Sequence, residues 1–269
     1  MSLTSVLIAH NEQAMLPITL PPIKAISDQV IIVDMGSTDR SHEIYGDLLG
    51  KNDLVLTYPR ENLYFFGFAH PRNYGAKRAK TDWILAIDCD ELIQPEEFLA
   101  VKDTLNDTLT NVFDLERLNY VKEDGYSLDN IPDVLASARS TKETHRRLYR
   151  NLPRTRWEGM IHEEVWIGEI NAYYDCEPFP LRLHHLNQFK VDISAHLKFG
   201  LYSYLTLQAI EFPGLRYGTN EFWFLTFPTT NMGAMLNAAG DYARLHNLPP
   251  INEGNVRKQL ASEGVEIVG

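Results

Sequence analysis

ILAIDCDE, residues 84–91, decides how this chain is read. Trp83 and the apolar residues up to Ile87 have the composition of a buried strand, and they run directly into three carboxylates, Asp88, Asp90 and Glu91. Carboxylates resist burial unless they are paired or bound to a cation. A strand ending in Asp-x-Asp therefore delivers two hard oxygen donors to the edge of a sheet. Period-two alternation sends Asp88 and Asp90 one way and Cys89 the other. Two carboxylates on one side suit Mg²⁺ or Mn²⁺, which take oxygen ligands and leave positions for phosphate. Taken alone, the segment is explained equally well as a strand followed by a solvated acidic turn.

The flanking sequence weighs against that plainer account. Residues 4–9 (TSVLIA) form an apolar run that ends in His10, Asn11 and Glu12, followed by a helix to about residue 20, where Pro21-Pro22 is expected to break it. Residues 30–33 (VIIV) form a second run, closed by Asp34 and the turn MGSTD at 35–39. Residues 41–49 read as helix, 54–57 as a third strand, 72–80 as helix and 83–87 as a fourth strand. Apolar strands alternating with helices imply an α/β protein with a mixed, mostly parallel sheet flanked by helices. In such sheets ligands gather at the carboxyl ends of the strands. Glu12, Asp34 and the Asp88/Asp90 pair each follow a separate strand, so one edge collects all three. Loops are polar in general, but that does not explain an acid at three successive strand ends.

The second half reads differently. Residues 113–121 and 144–150 look like strands, with antiparallel pairing expected, and a long polar loop at 122–141 lies between them. Residues 157–167 and 179–186 add further strands, and from about residue 192 the apolar spacing turns helical, at 196–210 and 232–245. The expected organisation is a catalytic α/β domain over 1–190 and a helical extension over 191–269. With 269 residues and a net charge of −11, the chain lacks the basic excess of a nucleic-acid binder. Its two cysteines, Cys89 and Cys176, are too few for a disulfide framework or a zinc site and fit a reduced, cytoplasmic setting. The opening residues lack the basic region of a secretory leader. The apolar run 222–227 is too short to span a membrane and is expected to pack in a core.

SVLIAHNE (5–12), VIIVDMGSTDRS (30–41), RNYGAKRAKTDW (72–83) and ILAIDCDE (84–91) resemble, in order and spacing, the family 2 glycosyltransferases of GT-A fold. The resemblance covers roughly residues 4–190 and is nearest to the bacterial branch containing lipopolysaccharide core sugar transferases. It implies a nucleotide-diphospho-sugar donor, UDP-linked in the first instance, and an Mn²⁺ or Mg²⁺ cofactor. The acceptor would be a glycan, lipid-linked or small-molecule hydroxyl, and the setting cytoplasmic, free or peripheral at the inner face of the membrane. By the same resemblance His10, Asn11, Glu12, Asp34, Ser37, Asp39 and Arg72 lie at the donor, with Glu12 and Asp34 on base and ribose. Asp90 is the metal ligand, and Asp88 contacts ribose or reaches the metal through water. His184 is the further metal ligand that best matches the family position, with His185 as the alternative. The expected glycine shortly after it is replaced by Leu186-Asn187. RRLYR (146–150) and WEGMIHEE (157–164) match a segment implied to serve the acceptor side. Glu163 or Glu164 would be the general base, with Glu91, Arg147, Trp157 and His162 in acceptor or phosphate contact.

Two other classes compete. A sugar-1-phosphate nucleotidyltransferase would open on a glycine-rich loop, and residues 5–15 contain no glycine. A nucleotide-sugar-binding or carbohydrate-binding protein without catalysis would keep the carboxylate edge and lack a working base.

Overall fold

The structure, a computed structural model, describes residues 1–190, 193–216 and 221–265. The first half of the chain runs β1 (Leu3–Ala9), α1 (Leu16–Ile26), β2 (Gln29–Asp34), α2 (Ser41–Leu48), β3 (Leu54–Thr57), α3 (Leu63–Phe66), α4 (Ala69–Ala76) and β4 (Trp83–Ala86). Next come β5 (Glu91–Leu92), α5 (Pro95–Val101), α6 (Thr104–Asp107), β6 (Val112–Tyr120), α7 (Ile131–Ser137) and β7 (Ser140–Arg150). The last part holds β8 (Thr155–Glu158), β9 (Glu164–Ile167), β10 (Ile170–Asn171), β11 (Glu177–His185), α8 (Ile193–Glu211), α9 (Glu221–Leu245) and α10 (Glu253–Ser262). The chain divides into two units, one of Met1–Arg60, Pro71–Thr155 and Ile167–Lys190, the other of Glu61–His70, Arg156–Trp166 and Val191–Gly269.

The first unit is built on an eight-stranded sheet of order β3-β2-β1-β4-β7-β6-β11-β5. β1 pairs in parallel with β2 and β4, β2 with β3, and β6 with β11. β7 runs antiparallel between β4 and β6, and β5 antiparallel on β11. This is the mixed, mostly parallel GT-A sheet expected from the sequence. The register Thr4↔Gln29 through Ala9↔Asp34 ends β1 and β2 level, so the loops carrying Glu12 and Asp34 leave side by side. β7 passes β4 in the opposite sense, with Leu148 opposite Leu85, which carries Arg147 past the carboxyl end of β4.

Three expectations are corrected. Pro21-Pro22 does not break α1, which runs through both to Ile26. The prolines lie away from the core, while Leu16, Thr19, Leu20, Ile23 and Ile26 are buried on the other side and hold the helix against the sheet. The helix expected over 72–80 begins and ends earlier, at Ala69–Ala76. The loop expected over 122–141 contains α7, whose first turn takes Pro132. A Ser127–Asn130 capping box precedes it, and Ile131 and Val134 pack with Met15, Leu118, Tyr120 and Phe189.

Gly75 sets how closely α4 lies on the sheet. A Cβ at this position would fall 2.6 Å from Val6 Cγ1 and 2.8 Å from Val33 Cγ2. Gly75→Ala is expected to lift α4, destabilising the protein by about 1–3 kcal/mol in urea denaturation. An unchanged midpoint would show that the helix can shift without cost.

In the second unit α8, α9 and α10 share a core with the two short segments. Tyr64, Met160 and Ile161 are buried with Leu205, Ile210, Met235, Tyr242, Val256 and Leu260. The aromatic run 222–227 lies outside the residues whose side chains are described. Among the described residues no helix is long and apolar enough to cross a membrane.

Candidate functional site

The loop after β1 is locked onto the turn after β2. Asn11 has a left-handed backbone, φ 57°, which asparagine tolerates better than most residues. Its Oδ1 accepts from the Thr38 amide at 2.7 Å, and its own amide donates to Ser37 Oγ at 2.9 Å. His10 Nδ1 lies 3.1 Å from the Met35 carbonyl. Asp39 accepts from the amides of Gln13 and Ser41, at 3.0 and 2.9 Å, and so ties α2 to the same loop. Asp34 is buried and holds the turn, taking the amides of Gly36 and Ser37 on Oδ1, at 2.9 and 2.8 Å, and the Tyr45 hydroxyl on Oδ2 at 2.9 Å. These residues fix the cradle in which the Glu12 carboxylate is presented.

At the end of β4 the strand stops at Ala86 and residues 88–91 form a turn, closed by the Glu91 amide on the Asp88 carbonyl at 3.0 Å. Cys89 enters the core, as alternation predicts. Asp88 meets two buried guanidinium groups, Arg72 Nη2 at 2.9 Å and Arg147 Nη2 at 2.7 Å. Burial opposes its ionisation, but Arg147 and Arg72 hold its carboxyl far below the usual carboxylate range. Glu91 is fully buried beneath them. It accepts from the Asp88 amide at 2.9 Å and from Arg117 Nη1 at 3.2 Å, and Arg147 Nη2 lies 3.5 Å away. The sequence offers two readings of Glu91, contact with acceptor or phosphate and orientation of the Asp88/Asp90 pair; its full burial favours the second. Arg147 Nε and Nη1 are buried with no hydrogen-bond partner among the described residues.

Asp90 occupies a separate corner. The Lys190 ammonium lies 3.0 Å from Asp90 Oδ2 and 2.7 Å from Glu12 Oε1, so one cation spans two acids that follow different strands. Burial works against the charged lysine, yet Asp90 and Glu12 raise its pKa above the ordinary value. His185 Nε2 stands 3.6 Å from Asp90 Oδ1. His184 does not share this corner. Alternation along β11 turns it to the opposite face, where its Nδ1 lies 2.9 Å from the Tyr120 hydroxyl and its ring stacks on that tyrosine. The choice between adjacent histidines therefore falls on His185.

The donor set at this corner fits a hard divalent cation. Asn119 Nδ2 donates to Glu143 Oε1 at 2.6 Å, which turns Asn119 Oδ1 toward His185 Nδ1 at 2.7 Å. In the neutral imidazole Nδ1 then carries the hydrogen and Nε2 a lone pair. A lone pair and a carboxylate oxygen facing each other call for a proton or a cation between them. Among the described residues no three His, Cys, Asp or Glu side chains gather as a metal cage. Mg²⁺ does not need one, since it is commonly held by one or two protein ligands together with substrate phosphates.

Of the sequence expected to serve the acceptor side, residues 146–150 lie in the first unit, and the WEGMIHEE stretch, 157–164, belongs to the second. It is two strands, β8 and β9, separated by a turn in which Gly159 and His162 have φ 108° and 52°. A left-handed histidine costs of order 1–3 kcal/mol, and such strain concentrates at functional sites. His162 is exposed, Glu163 half-buried and Glu164 buried, so Glu163 is the more accessible of the two candidate bases. Trp157 is buried in β8 and presents no open ring face for a sugar.

Sequence reading missed Lys190, Arg117 and Asn119. Lys190 follows the last sheet strand without a recognisable motif, and only the sheet order brings it to Glu12 and Asp90. Arg117 and Asn119 stand two apart in β6 and so share one face, but Asp114 and Glu116 in the same strand keep them from standing out as polar residues.

Comparison with known proteins bears directly on this edge. A family model described as Glycosyl transferase family 2 matches residues 4–159. An uncharacterized glycosyltransferase of Rickettsia bellii is 31% identical over 94 residues, 35% of this chain and 29% of that protein. The poly-beta-1,6-N-acetyl-D-glucosamine synthase of Staphylococcus aureus is 27% identical over 97 residues, 35% of this chain and 23% of that one. The chain thus matches less than a third of the length of these curated relatives. Among solved structures, S. aureus TarS in complex with UDP-GlcNAc aligns over 97% of this chain and 89% of that chain, at 14% identity and a TM-score of 0.45. With more than half its residues under the family model, the chain belongs to glycosyl transferase family 2.

Proposed function

We propose that this protein transfers a sugar from a UDP-sugar to an acceptor hydroxyl with inversion at the sugar carbon, assisted by a divalent cation. The observation that carries the proposal is the meeting of Glu12, Asp90 and His185 at the carboxyl edge of the sheet. Glu12, held by the Asn11 and Asp34 turns, accepts from the uracil ring N–H or the ribose hydroxyls. Arg147 offers Nε and Nη1, which have no partner among the described residues, to a phosphate or other anion, and Asp88 fixes its direction. Asp90 and His185 would hold Mn²⁺ or Mg²⁺, and the chemistry supplied there is stabilisation of charge on the departing diphosphate. Glu163 is the proposed base. It takes the proton of the acceptor hydroxyl, whose oxygen bonds to C1 as the C1–O bond to the diphosphate breaks and UDP leaves with the electron pair. No covalent sugar–enzyme intermediate forms. By resemblance, the acceptor is a glycan, lipid-linked or small-molecule hydroxyl, and the setting is cytoplasmic, free or peripheral at the inner face of the membrane.

Thermal shift with UDP, GDP and CDP, each with and without Mn²⁺, tests the donor assignment. UDP with Mn²⁺ is expected to give the largest shift; no shift with any nucleotide would refute a donor site here. Glu163→Gln is expected to lower transfer by about 10²–10⁴-fold while leaving the UDP-induced shift intact. Transfer at the parental rate would remove Glu163 as the base without touching the family assignment.

A further inference from the structure

Lys190 has no part in the mechanism above, yet its ammonium joins the nucleoside carboxylate to the metal carboxylate. It touches Glu12 at 2.7 Å and Asp90 at 3.0 Å, and its side chain is 21% exposed. A UDP-sugar bound as proposed makes the same two carboxylates its own, Glu12 at the nucleoside and Asp90 at the cation. The diphosphate connects those two ends of the donor, so its oxygens pass near the place the ammonium holds. A flexible four-carbon stem lets a lysine redirect its charge over several ångströms without backbone movement.

We propose that Lys190 is a donor-binding residue, the resident counter-cation of Glu12 and Asp90, which passes to the diphosphate when donor and metal claim those carboxylates. This rests on the donor site proposed above. No bond is made or broken in the exchange; one ammonium changes carboxylate partners for phosphate oxygens, and the net local charge is the same in both states because the divalent cation and the diphosphate cancel. The arrangement sets lysine and metal in competition for Asp90 until a nucleotide is present, and in cooperation afterwards.

The test is a pair of titrations on Lys190→Gln and the parental protein, with calorimetry or Mn²⁺ electron paramagnetic resonance as the readout. Mn²⁺ alone is expected to bind the variant about tenfold more tightly, because Asp90 has lost its competitor. UDP at saturating Mn²⁺ is expected to bind it about tenfold more weakly, because the phosphates have lost a cation. A purely structural lysine would move neither affinity, or both in the same direction, and either result overturns the proposal. If the parental protein binds no UDP with Mn²⁺, the donor site itself is refuted and this inference falls with it. If the parental protein binds and the variant binds equally well, the inference alone falls. Should Lys190→Gln not fold, Lys190→Arg carries the test. Its fork grips both carboxylates, so Mn²⁺ alone is expected to bind several-fold more weakly with UDP binding retained; Mn²⁺ affinity equal to the parent's would overturn the proposal.

Discussion

Asp90→Asn is expected to reduce transfer by at least about 10²–10³-fold, the range seen when a principal electrostatic stabiliser is removed from an active site. The asparagine keeps the shape of the side chain and an oxygen for Lys190, and it deletes only the charge. The lysine is not stranded, since Glu12 remains 2.7 Å away, so the fold should survive with a small change in melting temperature. What disappears is the carboxylate facing His185 across 3.6 Å, hence the attraction for a divalent cation. Two readings are therefore expected together: loss of transfer, and loss of the extra thermal shift that Mn²⁺ adds to UDP. Transfer within tenfold of the parental rate would place the metal elsewhere or show that the reaction does without it. A variant that lost transfer but kept the Mn²⁺-dependent shift would assign Asp90 to chemistry after binding.

The corner containing Asp90 was legible in the sequence to different depths. β1, β2 and β4 are buried on both faces, so they appear as unbroken apolar runs, and the acids at their ends stand out against them. The parallel order of these strands follows from the intervening helices, and the common edge follows from the parallel order. Elements held by tertiary contact were harder to read. β5 is two residues long and exists through its pairing with His184 and His185. α4 starts before its expected position, and Gly75 seats it on Val6 and Val33, a contact absent from any helical period. α1 survives two prolines because its opposite face is buried. The side of β11 that faces the site could not be taken from two adjacent histidines; pairing with β5 and the Asn119–Glu143 contact decides it. Alternation did separate Cys89 from the acids. It could not show that Asp88 would meet arginines from α4 and β7 while Asp90 met a lysine exactly one hundred residues further on, because those partners come from distant parts of the chain.

Asp88→Ala is expected to act mainly on stability, by up to about 3–5 kcal/mol, the range for removing one member of a buried ion-pair network. Arg72 and Arg147 are only 5% and 7% exposed, and both point a nitrogen at this one carboxylate. Glu91 cannot take over both, since it already serves Arg117 and the Asp88 amide. Asp88→Asn keeps an acceptor oxygen and loses the charge, so a smaller loss is expected. The pH dependence gives an independent check. The folded carboxyl is held far below the usual range, chiefly by Arg147 and then Arg72 against the opposing effect of burial. In the unfolded chain it titrates near an ordinary aspartate, at about 3.9. A depressed folded pKa stabilises the protein fully above the unfolded value, and the contribution is lost as pH falls toward the folded one. Urea denaturation at pH 7 should therefore show the full gap between parental and Asp88→Asn proteins, and the gap should narrow below about pH 4. A gap that stays constant from pH 7 to pH 3 would mean that the two arginines do not hold Asp88 as a carboxylate. Arg72→Gln combined with Asp88→Asn then separates charge from packing: if the pair is coupled, the double variant should lose less stability than the sum of the single ones.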